Sequence, residues 1–490
     1  MPIHLRGAAV LLALLCASVV RASDDMESGI KAITEAYAIV EDHAADPITA
    51  EQVFFQGAIP GMLRRLDPHS VFFDPGQFEQ LRKLETSTQK GFGSVVSVLP
   101  GRVIVLQTLP GTPSAKSGMA PGDEILAVNG YQLSRLDMEQ LIALLTQSRQ
   151  QPAQLIVKRP GNARFLNFVL TPEELQSPSV ERAFFLKPGV GYIRVSSFDE
   201  KTGGQIAEAV EKLGGKDLKG LVLDLRNNPG GLITSALQTA SLFLPPGARL
   251  VTVRGRHVAE KSEAVPSAGT HYEFPLAVLL NEKSASASEI VAGALQDHDR
   301  ASIIGVASFG KGLVQSVYPL SEGAGLALTT ALYYTPSGRS IQKPLDATQF
   351  ALAAATAHPN GPSEFHTDAG RKVTGGGGIV PDYVVYPPQM TRLRAVLDAS
   401  GSFTNFATEF VHSHTVAEDF EVTPALLDDF QVFLSQRAIE PSVNEWSTER
   451  EFIQSRLKTE IFNQALGVEK GDEVEAHRDP QIRKALEVIR

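Results

Sequence analysis

Between Asn281 and Gln315 the chain reads NEKSASASEIVAGALQDHDRASIIGVASFGKGLVQ, and this stretch holds the residue types from which a hydrolytic site can be built. Ser284, Ser286 and Ser288 stand among alanines just after an apolar run. Ser286 and Glu289 form S-x-x-E, the signature of a helix capping box, which accounts for the serine without any chemistry. The structural and chemical readings are compatible. A serine at a helix N-terminus is followed by a backbone N–H, here that of Ala287, which has no intrahelical acceptor. Aided by the helix dipole, such an N–H can stabilise a developing oxyanion. Alanine neighbours leave room for a substrate backbone to approach.

A serine hydroxyl needs a base. No G-x-S-x-G is present, and no histidine falls in a serine-hydrolase motif. His298, within D-H-D, reads as a solvated turn residue, and His69, within LDPHS, as a turn or capping residue. Lys311 in SFGKG is the other candidate. An isolated loop lysine is ordinarily a surface charge, but Gly310, Gly312 and the apolar runs on both sides argue for a tight, partly buried turn. To act near neutral pH its pKa of about 10.4 must fall by roughly 3 units, which burial can supply at a cost of about 4 kcal/mol. Gln315, four residues on, could hold the lysine amine or be simply a strand residue. A second oxyanion donor could come from NNPGG at Asn227–Gly231, where glycine leaves backbone N–H groups unobstructed. The nucleotide-binding glycine patterns, H-E-x-x-H and an acidic calcium loop are all missing, so neither a cofactor nor a metal is implied.

The elements that must position these residues follow α/β logic. GLVLDLR (Gly220–Arg226) and PLAVLLN (Pro275–Asn281) are near-continuous apolar runs, as strands buried on both faces should be. Each is followed by a small-residue turn and a helical pattern, through Leu232, Ala236, Leu237 and Leu242 in one case and from Ala287 in the other. Sites gather where such strands hand over to helices. Before this block, residues 86–171 predict strands at Ser94–Val98, Val103–Thr108, Glu124–Gly130, Ala153–Arg159 and Phe165–Leu170, with one helix over Asp137–Leu145. Ser28 to about Phe78 is helix-patterned and closes in a turn at Leu66–Ser70. Met390–Arg490 is helix-patterned again, with Phe430, Phe433, Leu434, Phe452, Ile453, Leu457, Ile461 and Phe462 on apolar faces. Lys343–Thr374 reads as a loop insertion.

The 490 residues predict about three domains. With 43% hydrophobic and 20% charged residues the composition is globular, which excludes a disordered chain and a multi-span membrane protein. The formal net charge of −10 argues against a nucleic-acid partner. Residues 1–22 read as a secretory signal: His4 and Arg6 precede the apolar run Ala8–Val20, and V-R-A offers cleavage after Ala22. An uncleaved anchor is the rival reading. Cleavage would remove Cys16, the only cysteine, so no disulfide is expected.

SASASEI-x-AGALQD followed by SFGKGLVQ resembles the carboxyl-terminal processing peptidases, the tail-specific serine peptidases of family S41. LDPHS, GFGS, APGDEILAVNG, LDLRNNPGG, YYTPSGRSIQ and GGIVPD appear in the family's order, so the resemblance covers nearly all of the chain after the signal. It implies a Ser–Lys dyad: Ser286 as nucleophile, Lys311 as general base and Gln315 as the residue orienting that base. The separation of 25 positions between Ser286 and Lys311 matches that family, and the resemblance thereby selects Ser286 over Ser284 and Ser288. Asp297 falls on a position sometimes given to a supporting relay, and Gly230 or Gly231 with Ala287 would form the oxyanion hole. The implied fold is an α/β crotonase-like peptidase core (172–389) with an inserted β-rich PDZ domain (86–171) and helical N-terminal (23–85) and C-terminal (390–490) regions. Gly91, Phe92, Gly93 and Ser94 would bind a peptide carboxylate through backbone N–H groups. The resemblance further implies protein or peptide substrates with free C-termini, a homo-oligomer, an adaptor protein as a further partner, no cofactor, and an exported protein of a bacterial periplasm, soluble or peripheral to the membrane. The competing reading is a peptide-binding scaffold carrying an inactive peptidase core.

Overall fold

The computed structural model describes residues 26–85, 88–268, 271–346, 348–352 and 364–489. The expected signal segment with Cys16 lies outside them, as do residues 353–363 of the expected insertion. The chain divides into two units.

The first unit comprises Met1–Phe78, Gln315–Thr329 and Leu345–Ala355. It holds α1 (26–43), α2 (Ala50–Val53) and α3 (Ile59–Leu66), with a π-helical turn at Phe54–Ala58. Thr49 and Gln52 cap α2 reciprocally. The helical pattern expected through Phe78 is interrupted by a strand, β1 (Val71–Phe73), paired antiparallel with Gly325–Ala327. The cause is Asp67, whose carboxylate accepts from the His69 N–H (2.7 Å), the Ser70 N–H (2.9 Å) and the Ser70 hydroxyl (2.7 Å). That turn ends α3 and delivers a β-branched and two aromatic residues in extended form.

The second unit comprises Glu79–Val314, Thr330–Pro344 and Thr356–Arg490. After α4 (Pro75–Glu85) comes a β-rich region. β2 (Thr88–Gly91) pairs with β9 (Glu173–Gln176), and an antiparallel sheet runs in the order β3 (Ser94–Leu99), β4 (Arg102–Thr108), β5 (Glu124–Val128), β7 (Ala153–Lys158), β8 (Leu166–Leu170), with β6 (Tyr131–Gln132) beside β5. Ala153, Leu155 and Val157 alternate inward along β7. α5 (Pro113–Lys116) is a single turn, and α6 (Met138–Ser148) starts from the reciprocal cap of Asp137 and Gln140.

The central sheet runs β10 (Val180–Lys187), β11 (Val190–Val195), β12 (Gly220–Asp224), β15 (Leu276–Leu280), β16 (Ala301–Gly305), β21 (Tyr383–Val384). β10 and β11 are antiparallel; the remaining pairs are parallel. α7 (Thr202–Lys212), α8 (Ile233–Ser241) and α9 (Ala287–Asp297) make the crossovers. β13 (Arg249–Arg254) pairs with β14 (Lys261–Ala264) and with Leu332–Tyr334 of β18 (Gly325–Tyr334), which follows β17 (Leu313–Pro319). The described part of the expected insertion contains a small hairpin, β19 (Glu364–His366) and β20 (Lys372–Thr374).

Both faces of the central sheet are covered, and the two apolar strands read from sequence are buried throughout. Leu221, Leu223, Val278 and Leu280 pack with Ile206, Ala236, Ile290 and Val291 of α7–α9. Val222, Ala277 and Leu279 point the other way, against Ala476, Ile482 and Ala485. Those partners belong to α14 (Val468–Arg478) and α15 (Pro480–Val488), so the last two helices are a layer of the α/β core rather than part of a separate helical region. The preceding α10 (Arg392–Ala399), α11 (Ser402–Ser413), α12 (Pro424–Ser435) and α13 (Val443–Ala465) enclose a cluster containing Phe430, Phe433, Leu434, Ile453, Leu457, Ile461 and Phe462. The apolar positions read from the sequence in this region are thus filled from within the chain. Among the described residues no helix is long and apolar enough to cross a membrane.

Candidate active site

Ser286 stands at the corner between β15 and α9. Its backbone has φ 53° and ψ −111°, a region that L-residues avoid and that costs of order 1–3 kcal/mol. Neighbouring bonds hold it there. The Ser286 N–H donates to Glu289 Oε2 (2.9 Å), and the Ser286 carbonyl accepts from the Glu289 N–H (2.8 Å) and the Ile290 N–H (3.0 Å). The cap is therefore made by backbone and glutamate. The other two serines are fully buried and engaged: Ser284 Oγ donates to the Leu225 carbonyl (2.8 Å), and Ser288 Oγ to the Asn228 carbonyl (3.0 Å). Ser286 is half-buried.

The turn after β12 lies against this corner. Asn228 is buried; its carbonyl accepts from the Ala285 N–H (3.0 Å) as well as from Ser288, and its Nδ2 donates to the Val195 carbonyl (3.0 Å). Gly230 has φ 101°, and a Cβ there would lie 2.7 Å from the Ala285 carbonyl oxygen, 2.9 Å from Ser286 Cβ and 3.0 Å from the Ala287 nitrogen. Only glycine fits so close to the serine. The Gly230 N–H donates to Asn228 Oδ1 at 2.8 Å. Gly231, exposed at the end of the turn, is thus the glycine of the pair whose N–H the turn does not consume. Ala287 is the first residue of α9, so its N–H has no intrahelical acceptor.

Lys311 is half-buried in a turn fixed at every residue. The Gly310 N–H donates to Glu289 Oε1 (2.7 Å), the Lys311 N–H to Glu289 Oε2 (2.9 Å) and the Gly312 N–H to Gln342 Oε1 (2.8 Å). Glu289 also accepts from the Ser308 hydroxyl (2.5 Å). One buried carboxylate therefore receives four hydrogen bonds, and its Oε2 binds the backbone N–H of Ser286 and that of Lys311 together. Tyr333 repeats the link, its hydroxyl lying 2.8 Å from the Lys311 carbonyl oxygen and 3.2 Å from that of Ser286. Burial pushes the Glu289 carboxyl above its ordinary range despite these donors, and burial, together with Glu289, raises the Tyr333 phenol. Neither residue was singled out by spacing: the glutamate looked like half of a capping box, and the tyrosine carried no signal outside YYTPSGRSIQ.

This architecture has known relatives. The family model described as Peptidase family S41 matches residues 189–348, and a PDZ domain model matches residues 104–159. A carboxy-terminal-processing protease of Bartonella bacilliformis is 39% identical over 300 residues, spanning 60% of this chain and 68% of that protein. The chain belongs to the carboxy-terminal-processing proteases. A second relative, from Synechocystis sp., is 36% identical over 292 residues (58% of this chain, 68% of that one). A third, the carboxy-terminal processing protease CtpB of Bacillus subtilis, is 31% identical over 327 residues (66% and 68%).

In this carboxy-terminal-processing protease Asp297 and His298 lie apart from Ser286. Asp297 ends α9, roughly 16 Å from its start at 1.5 Å per residue. There it is buried and paired with Arg339 (2.7 Å), and it accepts from the Ser337 N–H (2.9 Å). The structure does not bring it to the serine. His298 follows it, not as a solvated turn residue but held by Asp368 (2.6 Å) and the Arg249 carbonyl (2.7 Å). In the first unit the Gln315 side-chain amide donates to the carbonyl of His69.

The PDZ region of the protease carries GFGS at the mouth of an apolar cavity of about 240 Å³, lined by Val96, Val103, Met119, Leu145 and Leu155. The loop is anchored through its carbonyls, Phe92 accepting from the Ser114 N–H (2.9 Å) and Gly93 from the Leu109 N–H (2.8 Å). Ser94 Oγ lies 2.5 Å from Ser114 Oγ. Gly91, Phe92, Gly93 and Ser94 all line the cavity, with Arg149 beyond the end of α6 at its rim.

Proposed function

We propose that the protein is a serine endopeptidase in which Ser286 is the nucleophile and Lys311 the base. The neutral Lys311 amine takes the Ser286 hydroxyl proton as Oγ bonds to the scissile carbonyl carbon. The carbonyl π electrons move to oxygen, and the oxyanion is received by the N–H groups of Ala287 and Gly231. Collapse breaks the C–N bond, and the Lys311 ammonium returns the proton to the leaving amine. Water then releases the acyl group by the same steps, regenerating the serine hydroxyl. Gln315 is the partner that the motif offers for orienting the lysine amine.

The observation carrying this reading is the shared carboxylate of Glu289, which ties the backbone of Ser286 to that of Lys311. Support for substrates with free C-termini comes from the loop Gly91–Ser94 at the mouth of an apolar cavity, the form in which PDZ domains receive a terminal carboxylate. Export is proposed from the basic start and apolar run of residues 1–22.

The test is labelling with a fluorophosphonate probe and cleavage of a peptide with a free C-terminus. The unaltered protein should be labelled at Ser286 and should cleave. Ser286→Ala and Lys311→Ala should remain folded and lose both activities. Near-normal cleavage by Lys311→Ala would overturn the dyad, and a folded, unaltered protein that neither labels nor cleaves would favour the inactive scaffold.

A further inference from the structure

α14 is linked to the PDZ region at its start and, through Asp479 just past its end, to Arg226, which precedes the turn Asn227–Gly231. At its start the N–H of Val468, its first residue, donates to Gln107 Oε1 on β4 at 3.2 Å. Arg102 of the same strand donates to Asn405 Oδ1 on α11 at 2.8 Å, which seats the strand on the helical layer. At the other end Asp479 joins α14 to α15. Its Oδ1 caps α15 through the N–H groups of Gln481 (2.7 Å) and Ile482 (3.2 Å). Its Oδ2 accepts from Arg226 Nη1 at 2.5 Å, and Gln481 Oε1 accepts from the same nitrogen at 2.9 Å. Between the ends, Asp472 pairs with Arg182 of β10.

Arg226 immediately precedes the turn Asn227–Gly231. Its guanidinium forks onto Asp224, Nε to Oδ1 at 2.9 Å and Nη2 to Oδ2 at 2.5 Å, and its own N–H donates to Asp224 Oδ1 at 2.9 Å. Asp224 is buried and also accepts from the Tyr192 hydroxyl (2.7 Å). The end of β12 therefore holds both the backbone and the guanidinium of Arg226, and Asp479 beyond α14 holds the same guanidinium from the other side. A cleft of about 410 Å³ lies beside the guanidinium, lined by Asp224, Asn227, Asp479 and Gln481 among others.

We infer that α14 is a positioning strut linking the PDZ domain to the oxyanion turn, with Gln107 and Asp479 as its positioning residues at the two ends. The inference rests on the serine mechanism and tail reading proposed above. An 11-residue helix about 16 Å long moves as a rigid rod. A shift of the PDZ domain against Val468 is carried along it to Asp479, then to Arg226 and the turn that presents the Gly231 N–H. Misplacement of an oxyanion donor by a fraction of an ångström weakens transition-state binding and leaves tail capture intact.

Asp479→Asn isolates the far end, because asparagine Oδ1 still caps α15 while the atom facing Arg226 becomes a donor. Cleavage of one peptide with free and amidated C-termini is measured, with tail binding read separately in the Ser286→Ala background. Asp479→Asn should lower kcat about 10- to 100-fold, with KM and tail affinity within about twofold of the parent. Gln107→Ala should reduce the free-to-amidated rate ratio without changing tail affinity, and Gln107→Glu, which restores an acceptor for the Val468 N–H, should recover that ratio. An unaltered protein that cleaves, while folded Asp479→Asn matches its kcat or Gln107→Ala keeps its rate ratio, overturns the strut alone. An unaltered protein that neither cleaves nor labels at Ser286 overturns the serine mechanism and the strut with it. If Asp479→Asn loses its folded state, Gln107→Ala carries the test from the opposite end of the helix.

Discussion

At Ser286 the chain adopts a positive φ that serine disfavours, and Glu289 is the main reason it can. A carboxylate accepting from Ser286, Ser308, Gly310 and Lys311 must be acceptor-only, so an amide in its place turns a donor toward other donors. Glu289→Gln should therefore lower kcat by about 10- to 100-fold, since the serine and lysine lose their common anchor. The pH dependence of stability gives an independent reading. Burial raises the folded pKa of Glu289 above its ordinary value, so over the window between them the unfolded chain has released a proton that the folded one keeps. Stability from this group is thus greatest at acid pH and is lost as pH rises through the folded pKa. The melting temperature of Glu289→Gln relative to the parent should accordingly climb from about pH 4 toward neutrality. A difference that stays flat or falls over that range would contradict the assignment. This residue was visible in the sequence only as the last letter of S-x-x-E; its four donors come from two separate stretches of chain, Ser286 and Ser308–Lys311.

The turns and helix starts explain how short elements deliver chemistry. β12 and β15 end beside each other in a parallel sheet, so the turns that follow them, Asn227–Gly231 and Asn281–Ser286, meet at one edge. The Asn227 N–H donates to Asn281 Oδ1 at 2.9 Å, and Asn281 Nδ2 donates to Asn227 Oδ1 at 2.9 Å, so the two turns are pinned reciprocally. Gly230→Ala should be costly twice over, because the new Cβ meets Ser286 and Ala285 and the backbone sits at φ 101°. We expect a stability loss of about 1–3 kcal/mol in chemical denaturation and a fall in kcat larger than any rise in KM. Unchanged kinetics would show that the turn does not approach the reacting atoms. The buried strands were legible because continuous apolar runs bounded by turn residues have few other uses. The strand Val71–Phe73 was not, because three residues cannot establish a period and a pairing partner about 250 positions away supplies its order.

Across the second unit, one sheet is buried between α7–α9 and the helices α14 and α15. Chain truncation before Gly467 would uncover Val222, Ala277, Leu279 and Ile304, all fully buried in the intact protein. Loss of a whole layer should abolish cooperative unfolding and expose dye-binding apolar surface, measurable by calorimetry and by 8-anilinonaphthalene-1-sulfonate fluorescence. A truncated protein that still melts cooperatively near the parent's temperature would show that α14 and α15 are dispensable to the core. The Phe-rich positions of α12 and α13 carry a related lesson. Their pattern said that they must be buried but not by what, and the answer is one another.

The residue types that can attack, accept a proton and hold an oxyanion are local properties, as are the capping box, the glycine turn and the alternating apolar periods, so sequence alone nominated Ser286, Lys311, the NNPGG turn and the α/β class of the core. That the Gly230 N–H is bonded to Asn228, that the Ser284 and Ser288 hydroxyls are engaged and that Asp297 is paired with Arg339 at the far end of α9 came from folding. Each depends on where a partner such as Asn228, Leu225 or Arg339 comes to lie. The same holds for the joint grip of Glu289 and Tyr333 and for the closing of the sheet by the last two helices. Spacing along a chain records periodicity within an element, whereas the packing of distant elements depends on side-chain shape and on the hydrogen bonds left to satisfy once the layers meet.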